Sequence, residues 1–310
     1  MPELPEVETI KRGLEKRIVG LNITKIQINS PKFFIGKPEI VEGKKVLNVW
    51  RRAKVLGIDL ESSFWGAKRL QNQKTKDSGQ ARMTLLIHLK MSGQLIWEKG
   101  QRFIGGHPTQ DMIGAMPNKH TRVEFSFSDP LRPLSEASGS SLYFNDQRRF
   151  GWIKVIKGDL GNMGYLGNLG PEPLEKGFTW EILKKNLLKH KKTPVKVAIM
   201  DQSVVSGVGN IYACEACFLA GIDPKRKIID LDDEGFKKIH KAVISAIKKG
   251  IKYGGSSKTH FVDADGRKGF FLDYAFVYGR AGKDCKKCKS EIKKIKLGGR
   301  GTFFCPSCQT

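Results

Sequence analysis

The first six residues carry groups that can do covalent chemistry. The chain begins MPELPEVETI, and removal of Met1, which is usual before a small residue, leaves Pro2 with a secondary amine at the N-terminus. An α-amino group has a pKa of about 7.7 to 8.0, so part of it is neutral near pH 7 and can attack a carbonyl-level carbon to form a Schiff base. Glu3 and Glu6 are placed to donate or remove protons. A helix cap is the simpler alternative interpretation of the same segment.

Four cysteines near the C-terminus have the spacing of a zinc ribbon. They form two CxxC pairs separated by sixteen residues: Cys285, Cys288, Cys305 and Cys308. Two turns that each present two thiolates complete a tetrahedral site, and four protein ligands leave no open position for water, which predicts a structural zinc that holds a β-hairpin. A further pair, Cys214 and Cys217, lies in apolar helical surroundings and is interpreted as two small buried side chains.

Two segments place an apolar residue beside basic ones at a predicted strand or loop end. They are HLKMSGQL, residues 88–95, and DQRRFG, residues 146–151. Met91 and Phe150 are candidate wedges that unstack a duplex, and Arg148 is a candidate to fill the space left by an extruded base. Ordinary packing within a β domain is the alternative for each segment read alone.

Two further positions are candidates for phosphate contact. SGVGNIY, residues 206–212, places two glycines before a predicted helix, where free backbone N–H groups favour an anion. Asn210 in this segment is interpreted as a phosphate donor or as the N-cap of the helix. Arg300 lies in the GGRGTFF turn of the cysteine hairpin and either reaches a phosphate or faces solvent.

The periodicity of the chain predicts the elements that position these residues. Val7, Ile10, Leu14 and Ile18 recur at helical spacing, and Gly20 is suited to end that helix. From residue 21 to about 158, short alternating or β-branched runs predict an antiparallel β domain. Polar stretches near 62–82, 103–118 and 128–141 are predicted surface loops, and the Gly- and Pro-rich segment 158–174 is a predicted hinge. Helical spacing dominates beyond it.

Composition indicates the class of partner. The chain has 55 Lys and Arg against 31 Asp and Glu, a net charge of +24, which favours nucleic acid over anionic lipid or simple solubility. No run approaches the roughly 18 to 20 apolar residues of a membrane span, and the acidic N-terminus is unlike a secretory signal. Closely paired cysteines favour a reducing compartment. These features predict a cytoplasmic protein without a membrane segment.

The ordered motifs together resemble the formamidopyrimidine-DNA glycosylase family over nearly the whole length. The matching segments are PELPEVET, RRAK at 51–54, HLKMSG, NKH at 118–120, QRRFG, LGPEPL, DQSVVSGVGNIY, GGSSKTHFVDADGRKG, VYGR and the four-cysteine ribbon. The resemblance implies an α+β multidomain fold, with an N-terminal helix plus an antiparallel β-sandwich, a helix-two-turn-helix domain and a C-terminal zinc-finger β-hairpin. The implied domains are residues 1–158, 159–274 and 275–310.

The resemblance also implies an activity on damaged double-stranded DNA, which is bound by a monomer that carries one structural Zn²⁺. The family is a bifunctional glycosylase and abasic-site lyase that removes oxidised purines such as 8-oxoguanine and formamidopyrimidines, with β,δ-elimination at the sugar. Two alternatives stay open: an endonuclease VIII-like enzyme for oxidised pyrimidines, and a DNA-binding paralogue without activity. The loop 254–269 is the implied lesion-recognition lid, and its glycines suit a mobile segment.

Residue roles follow from the matching motifs. Pro2 is implied to attack C1′ of the damaged nucleotide, Glu3 to act as acid and base at the sugar, and Lys54 to bind near the lesion and its phosphate. The remaining implied DNA contacts are the void-filling residues and the residues that face phosphates or the backbone: Met91, Arg148, Phe150, His120, Asn210 and Arg300.

The chain departs from the family pattern at three of these motifs. RRAK has Ala53 and HLKMSG has Lys90 where glycine is usual, and the NKH stretch continues with Thr121 and Arg122 instead of Asp-His. These residues are expected to add positive charge or bulk beside the DNA-binding surface. None of them alters Pro2, Glu3 or the zinc ligands.

Overall fold

The computed structural model describes residues 2–61, 83–106, 114–131, 139–158, 164–256 and 270–310. The predicted loop 62–82, the central parts of the other two predicted loops and residues 257–269 of the predicted lid lie outside the described residues. Contacts divide the chain into two units. Unit 1 contains Pro2 and the described residues from Val7 to Gly167, whereas unit 2 contains Glu3–Glu6 and the described residues from Asn168 to Thr310.

Helix α1, Leu4–Ile18, forms where helical spacing predicts it. Ile10 and Leu14 on its apolar face are fully buried. The carboxylate of Glu6 accepts the backbone N–H of Glu3 at 2.8 Å, which is the reciprocal half of a capping box. Gly20 follows the helix with a φ of +91°, a conformation that glycine adopts without strain.

Unit 1 contains ten strands among its described residues, which form two five-stranded sheets in the orders β1-β8-β9-β6-β7 and β2-β10-β5-β4-β3. The strands are β1 (Asn22–Ile28), β2 (Phe34–Ile35), β3 (Val46–Arg52), β4 (Val55–Leu60), β5 (Met83–His88), β6 (Gly93–Lys99), β7 (Gln101–Gly106), β8 (Thr121–Ser128), β9 (Ser140–Asp146) and β10 (Trp152–Lys157). Every pairing is antiparallel except that of the short β2 with β10.

The core of unit 1 is built from the inward faces of both sheets and the apolar face of α1. Alternating Val123, Phe125 and Phe127 of β8 are all buried in it. Phe127 meets Trp97 of β6 edge to face, with ring centroids 5.4 Å apart. The predicted helix and β-sandwich are confirmed.

The predicted loop at 103–118 is partly wrong, because β7 extends to Gly106 and pairs with β6. Phe103 of β7 is buried in the unit 1 core. The two glycines that favoured a loop have a packing role, since a Cβ on Gly105 would lie 2.9 Å from the side chain of Ile10 in α1. β9 likewise begins at Ser140, inside the third predicted loop.

Unit 2 is helical and ends in a β-hairpin, as predicted. Its helices, together with the short α2 that precedes it, are α2 (Gly164–Gly167), α3 (Trp180–Leu187), α4 (Val195–Ala198), α5 (Asn210–Ala220), α6 (Asp233–Lys252) and α7 (Phe271–Tyr274). The hairpin consists of β11 (Lys293–Leu297) and β12 (Arg300–Phe304). Asp232 caps α6 by accepting the N–H of Gly235 at 2.7 Å. Within the described ranges, no helix is both long and apolar enough to cross a membrane.

Candidate active site and DNA-contact residues

The carboxylate of Glu3 lies at the N-terminus of helix α5. It accepts the backbone N–H of Ile211 at 3.0 Å and that of Tyr212 at 3.4 Å. A Cβ on Gly209 would lie 2.3 Å from the Glu3 carboxyl carbon, so any larger residue there would displace this carboxylate. The Gly-rich helix start that predicted an anion site therefore holds Glu3, whose negative charge the helix dipole favours. Pro2, which is buried, directly precedes Glu3.

Glu6 has a structural role that differs from that of Glu3. Its side chain is fully buried. One oxygen accepts the hydroxyl of Tyr212 at 2.7 Å and the backbone N–H of Ser256 at 2.6 Å, and the other accepts the N–H of Glu3 at 2.8 Å. Burial and the nearby Glu6 raise the pKa of Tyr212 well above its usual range, so the phenol remains a donor. The helix-cap interpretation is therefore correct for Glu6, which fixes the backbone of Glu3.

Asn210 is the first residue of α5 and links it to the C-terminal hairpin. The N-cap interpretation is wrong, because Gly209 occupies that position. The amide oxygen of Asn210 accepts from Lys196 Nζ at 2.5 Å, and its nitrogen donates to the carbonyl of Gly301 at 3.0 Å. Arg300, the residue before Gly301, is exposed. The two predicted phosphate-contacting residues of unit 2, Asn210 and Arg300, thus lie on segments that are joined by a hydrogen bond.

Lys196 was not found by sequence reasoning. It is fully buried in unit 2, and burial lowers the pKa of its ammonium while Cys214, Cys217 and Glu3 oppose that shift. A single lysine in KVAIMDQ gives no sequence signal, because only the fold reveals that its Nζ faces Asn210.

Lys54 follows a strained residue in a tight hairpin. Arg52 of β3 pairs with Val55 of β4, so Ala53 and Lys54 form a two-residue loop. Ala53 has a φ of +52°, which explains why glycine is usual at this position of the motif. The side chain of Lys54 is buried.

A second strained residue precedes Met91, in the turn between β5 and β6. Lys90 has a φ of +50°, and its backbone N–H donates to Nδ1 of His88 at 2.9 Å. Burial, followed by the charges of Lys90 and Lys54, lowers the pKa of His88 to about 3. The imidazole is therefore neutral at pH 7, which is the form that accepts this bond. Met91 is half-buried.

Ser92 and Asp146 join the turn of Met91 to the turn of Arg148 and Phe150. The Ser92 hydroxyl donates to Asp146 at 2.6 Å and accepts the backbone N–H of Arg148 at 2.9 Å. The second oxygen of Asp146 accepts the N–H of Gly151 at 2.7 Å. Sequence reasoning missed both residues, although they stand beside Met91 and within DQRRFG. The structure therefore brings the three predicted void-filling residues together within unit 1.

The side chains of Arg148 and Phe150 project from this turn. Phe150 is 56% exposed, which is unusual for a phenylalanine. The guanidinium of Arg148 lies 5.5 Å from the Phe150 ring centroid. Arg149 between them has a φ of +61°. An exposed ring beside a cation is suited to insertion between stacked bases.

His120 lies in a turn whose backbone is held by the partly buried Asn118 and the buried Arg122. Its N–H donates to Asn118 at 2.9 Å. Arg122 is buried, and its guanidinium donates to the carbonyls of Asp146 at 2.9 Å and Lys119 at 3.2 Å. Arg122 therefore positions two turns through its bonds to Asp146 and Lys119.

The four ribbon cysteines converge on one point. The sulfur atoms of Cys285, Cys288, Cys305 and Cys308 all lie within 4.8 Å of one another. A tetrahedral zinc at about 2.3 Å from each sulfur requires sulfurs about 3.8 Å apart, so the site fits this ion. Such a metal would hold the two turns together and leave the β11–β12 hairpin docked beside α5.

A buried carboxylate anchors the segment that leads into the ribbon. Glu215 of α5 accepts the backbone N–H groups of Phe276, Val277 and Tyr278 at 2.8 to 2.9 Å. Burial raises the pKa of Glu215, and these three bonds oppose that shift. Cys214 and Cys217 are buried, as predicted.

Three family models match successive parts of the chain. They describe the formamidopyrimidine-DNA glycosylase N-terminal domain at residues 1–153, the H2TH domain of the same enzyme at 169–262, and a zinc finger found in FPG and IleRS at 282–310. Together they span most of the chain in the order of its elements.

Whole-length relatives have the same architecture. The formamidopyrimidine-DNA glycosylases of Pelotomaculum thermopropionicum and Hahella chejuensis are 35% and 36% identical, over 100% of this chain and 99% and 100% of theirs. A mutant of Lactococcus lactis FPG, solved in complex with Fapy-dG-containing DNA, has a TM-score of 0.80 at 30% identity over 100% of both chains. MutM (FPG) from Thermus thermophilus has a TM-score of 0.78 at 30% identity, over 99% of this chain and 98% of its own. The chain therefore belongs to the formamidopyrimidine-DNA glycosylase family of DNA repair glycosylase/AP lyases.

Proposed function

We propose that this enzyme removes oxidised purines, 8-oxoguanine and formamidopyrimidines, from double-stranded DNA through a Schiff base at Pro2. Relatives solved with Fapy-dG-containing DNA and with abasic-site DNA support this substrate class. The single observation that carries the proposal is the carboxylate of Glu3, which two N–H groups of α5 hold in place and which follows the buried Pro2 directly in the sequence. A terminal amine next to a fixed carboxylate is suited to attack a sugar carbon and move protons there.

The chemistry requires a free amine. After loss of Met1, the Pro2 nitrogen attacks C1′ of the damaged nucleotide, the bond from C1′ to the base breaks, and the base leaves with a proton. The C1′–O4′ bond of the sugar then breaks as O4′ takes up a proton, which opens the ring and leaves an iminium between the Pro2 nitrogen and C1′. The iminium draws electrons from C1′, which acidifies the C2′ hydrogens. Glu3 exchanges protons at the sugar while the 3′ phosphate and then the 5′ phosphate are eliminated. The same amine thus serves the glycosylase and the lyase steps.

The remaining site residues either fill the space left by the extruded nucleotide or contact the DNA backbone. Met91, Arg148 and Phe150 occupy the space left by the extruded nucleotide, since their two turns are joined through Ser92 and Asp146. Lys54 holds the phosphate beside the lesion, His120 contacts the backbone, and Asn210 and Arg300 hold a further phosphate. Flipping costs a few kcal/mol, which these contacts offset.

A borohydride trap tests this proposal directly. Wild-type enzyme, incubated with a duplex carrying 8-oxoguanine opposite cytosine, is expected to become covalently attached to the lesion strand on reduction. Pro2→Gly keeps an amine but is expected to trap far less, whereas Pro5→Ala, which changes a proline without touching the amine, is expected to trap like wild type. Mass spectrometry that located the reduced crosslink on a lysine would overturn the role of Pro2.

The same duplex format tests the substrate class. Cleavage of 8-oxoguanine opposite cytosine is expected to be faster than cleavage of thymine glycol. Faster action on thymine glycol would replace the purine proposal with an endonuclease VIII-like preference. A wild-type enzyme that bound both duplexes and was trapped on neither would be a DNA-binding paralogue.

We also propose that the enzyme acts as a cytoplasmic monomer on the nucleoid. The charge of +24 supports close association with DNA and self-repulsion between copies. Light scattering coupled to size-exclusion chromatography is expected to give the mass of one chain. A dimer mass at micromolar concentration would contradict this.

A further inference from the structure

Lys90 combines backbone strain with a position next to a predicted wedge. A non-glycine residue with a left-handed φ costs roughly 1–2 kcal/mol, and glycine at the same place would avoid that cost. The φ of +50° at Lys90 is held by the bond from its N–H to His88 Nδ1. Such outliers persist where the surroundings over-determine them, and they cluster at functional sites.

The charge of Lys90 adds to that of Lys54. Both ammonium groups act on the same imidazole of His88, since their charges contribute to its lowered pKa. The buried imidazole remains neutral and accepts a backbone N–H, so it does not offset either positive charge. Two cations therefore lie near His88, and one of them, Lys90, directly precedes Met91 in the turn between β5 and β6.

We propose that Lys90 binds a second DNA phosphate, next to the one assigned to Lys54, on the strand that Met91 enters. This inference rests on the proposed function, since Lys54 and Met91 have their roles only there. Phosphates flank every base step, and a lysine adjacent in sequence to a wedge lies beside the backbone of the step that the wedge opens. The strained backbone at this position thus costs stability, whereas the lysine side chain supplies a cation for the phosphate.

The salt dependence of binding tests the proposal. Each phosphate neutralised by a cation contributes about 0.9 to the slope of log affinity against log salt. A duplex carrying a tetrahydrofuran abasic-site analogue has no base to release and is the probe. Lys90→Gln is expected to reduce the slope by about 0.9, with a several-fold loss of affinity at low salt, whereas Lys90→Arg keeps the wild-type slope.

Lys99→Gln is the matched control. Lys99 is exposed at the far end of β6, six residues from Gly93, or roughly 20 Å along the strand. The Lys99→Gln substitution removes the same charge from the same unit and is expected to leave the slope of log affinity against log salt unchanged. An equal loss of slope in Lys99→Gln and Lys90→Gln would mean that only the net charge of the protein matters, and it would overturn the proposal.

Lys90→Gly separates the effect of Lys90 on DNA binding from its effect on thermal stability. Removal of the left-handed strain is expected to raise the thermal midpoint by about 2 °C, while the slope falls as in Lys90→Gln. A wild-type slope in Lys90→Gln would refute the second phosphate contact. Failure of the borohydride trap with an intact change of slope would instead refute the role of Pro2 and leave the role of Lys90 standing.

Discussion

Unit 1 and unit 2 hold their predicted DNA-facing residues by different physical means. In unit 1 these residues stand on turns beside strained backbone, since three non-glycine residues with a left-handed φ are direct neighbours of predicted contacts: Ala53, Lys90 and Arg149. In unit 2 the residues are held by buried charged groups that are hydrogen-bonded to other segments. These groups are Glu3, Glu6, Lys196 and Glu215.

This difference predicts how a substitution in each unit affects the residues around it. Left-handed strain is local and costs roughly 1–2 kcal/mol at each residue, so its removal is expected to affect one side chain at a time. A buried charge depends on every partner, because an unpaired donor or acceptor in the interior costs about 1–3 kcal/mol. Changes at these buried charges of unit 2 are therefore expected to disturb several segments together, whereas changes at the three strained residues of unit 1 are expected to stay local.

Zinc removal is expected to give the largest effect and to test the cooperative character of unit 2. Structural zinc contributes on the order of 10 kcal/mol to small fingers, more than the hairpin can replace. The exposed ligand Cys288 is changed in Cys288→Ser, which should abolish zinc binding and hydrogen-exchange protection of β11 and β12. Ser307→Ala, in the second CxxC turn of the same ribbon, removes a hydroxyl without removing a ligand and should retain one zinc per chain. Protection that survived verified zinc loss would show that packing alone holds the hairpin.

Glu6→Gln is expected to have the next largest effect and to lower the free energy of unfolding by about 2–4 kcal/mol. The amide has only one acceptor oxygen for the three donors that now bond the carboxylate, and its NH2 group faces at least one of them. Chemical denaturation followed by fluorescence measures it. Glu15→Gln on the same helix, an exposed partner of Lys11, is the control and should change stability by less than about 0.5 kcal/mol. Equal effects of the two variants would contradict the buried-network account.

His88 predicts a pH dependence confined to unit 1. Its pKa is depressed to about 3 in the folded chain, from an ordinary value of 6.5, so only the unfolded chain takes up this proton between those values. The contribution of His88 to the free energy of unfolding is complete above pH 6.5 and is lost as pH falls toward 3. At pH 5 the loss is about 2 kcal/mol. His88→Asn, which keeps an acceptor near Nδ1, should flatten the dependence in this window. A profile identical to wild type would remove His88 as its cause.

Ala53→Gly is expected to give the smallest effect and opposite sign. Relief of the left-handed φ should stabilise unit 1 by at most about 1 kcal/mol, partly cancelled by the greater freedom of glycine in the unfolded chain. Ala246→Gly, in the interior of α6, is the matched change and should destabilise by about 1 kcal/mol. Destabilisation by both would mean that Ala53 is not strained.

Several features were predictable because they depend on neighbours in sequence. The apolar spacing of α1, the alternation of β8 and the CxxC pairs all record a local geometry that the structure retains. The end of β7 inside the predicted loop 103–118 was not predictable, since Gly105 is required by the side chain of Ile10, which lies far away in the sequence. The N-cap interpretation of Asn210 failed for the same reason, because its partners are Lys196 and Gly301.

The sequence by itself determined the zinc ligands, the succession of helix, sheets and helices, and the presence of a proline that can become a terminal amine, because each follows from composition or short-range spacing. Only the tertiary structure decided that Glu3 and Glu6 have different roles, and that Ser92 and Asp146 join the turns of Met91 and Arg148. The physical reason is that these hydrogen bonds connect residues as far apart as 250 positions, as between Glu6 and Ser256. Folding creates that proximity, and no local pattern records it.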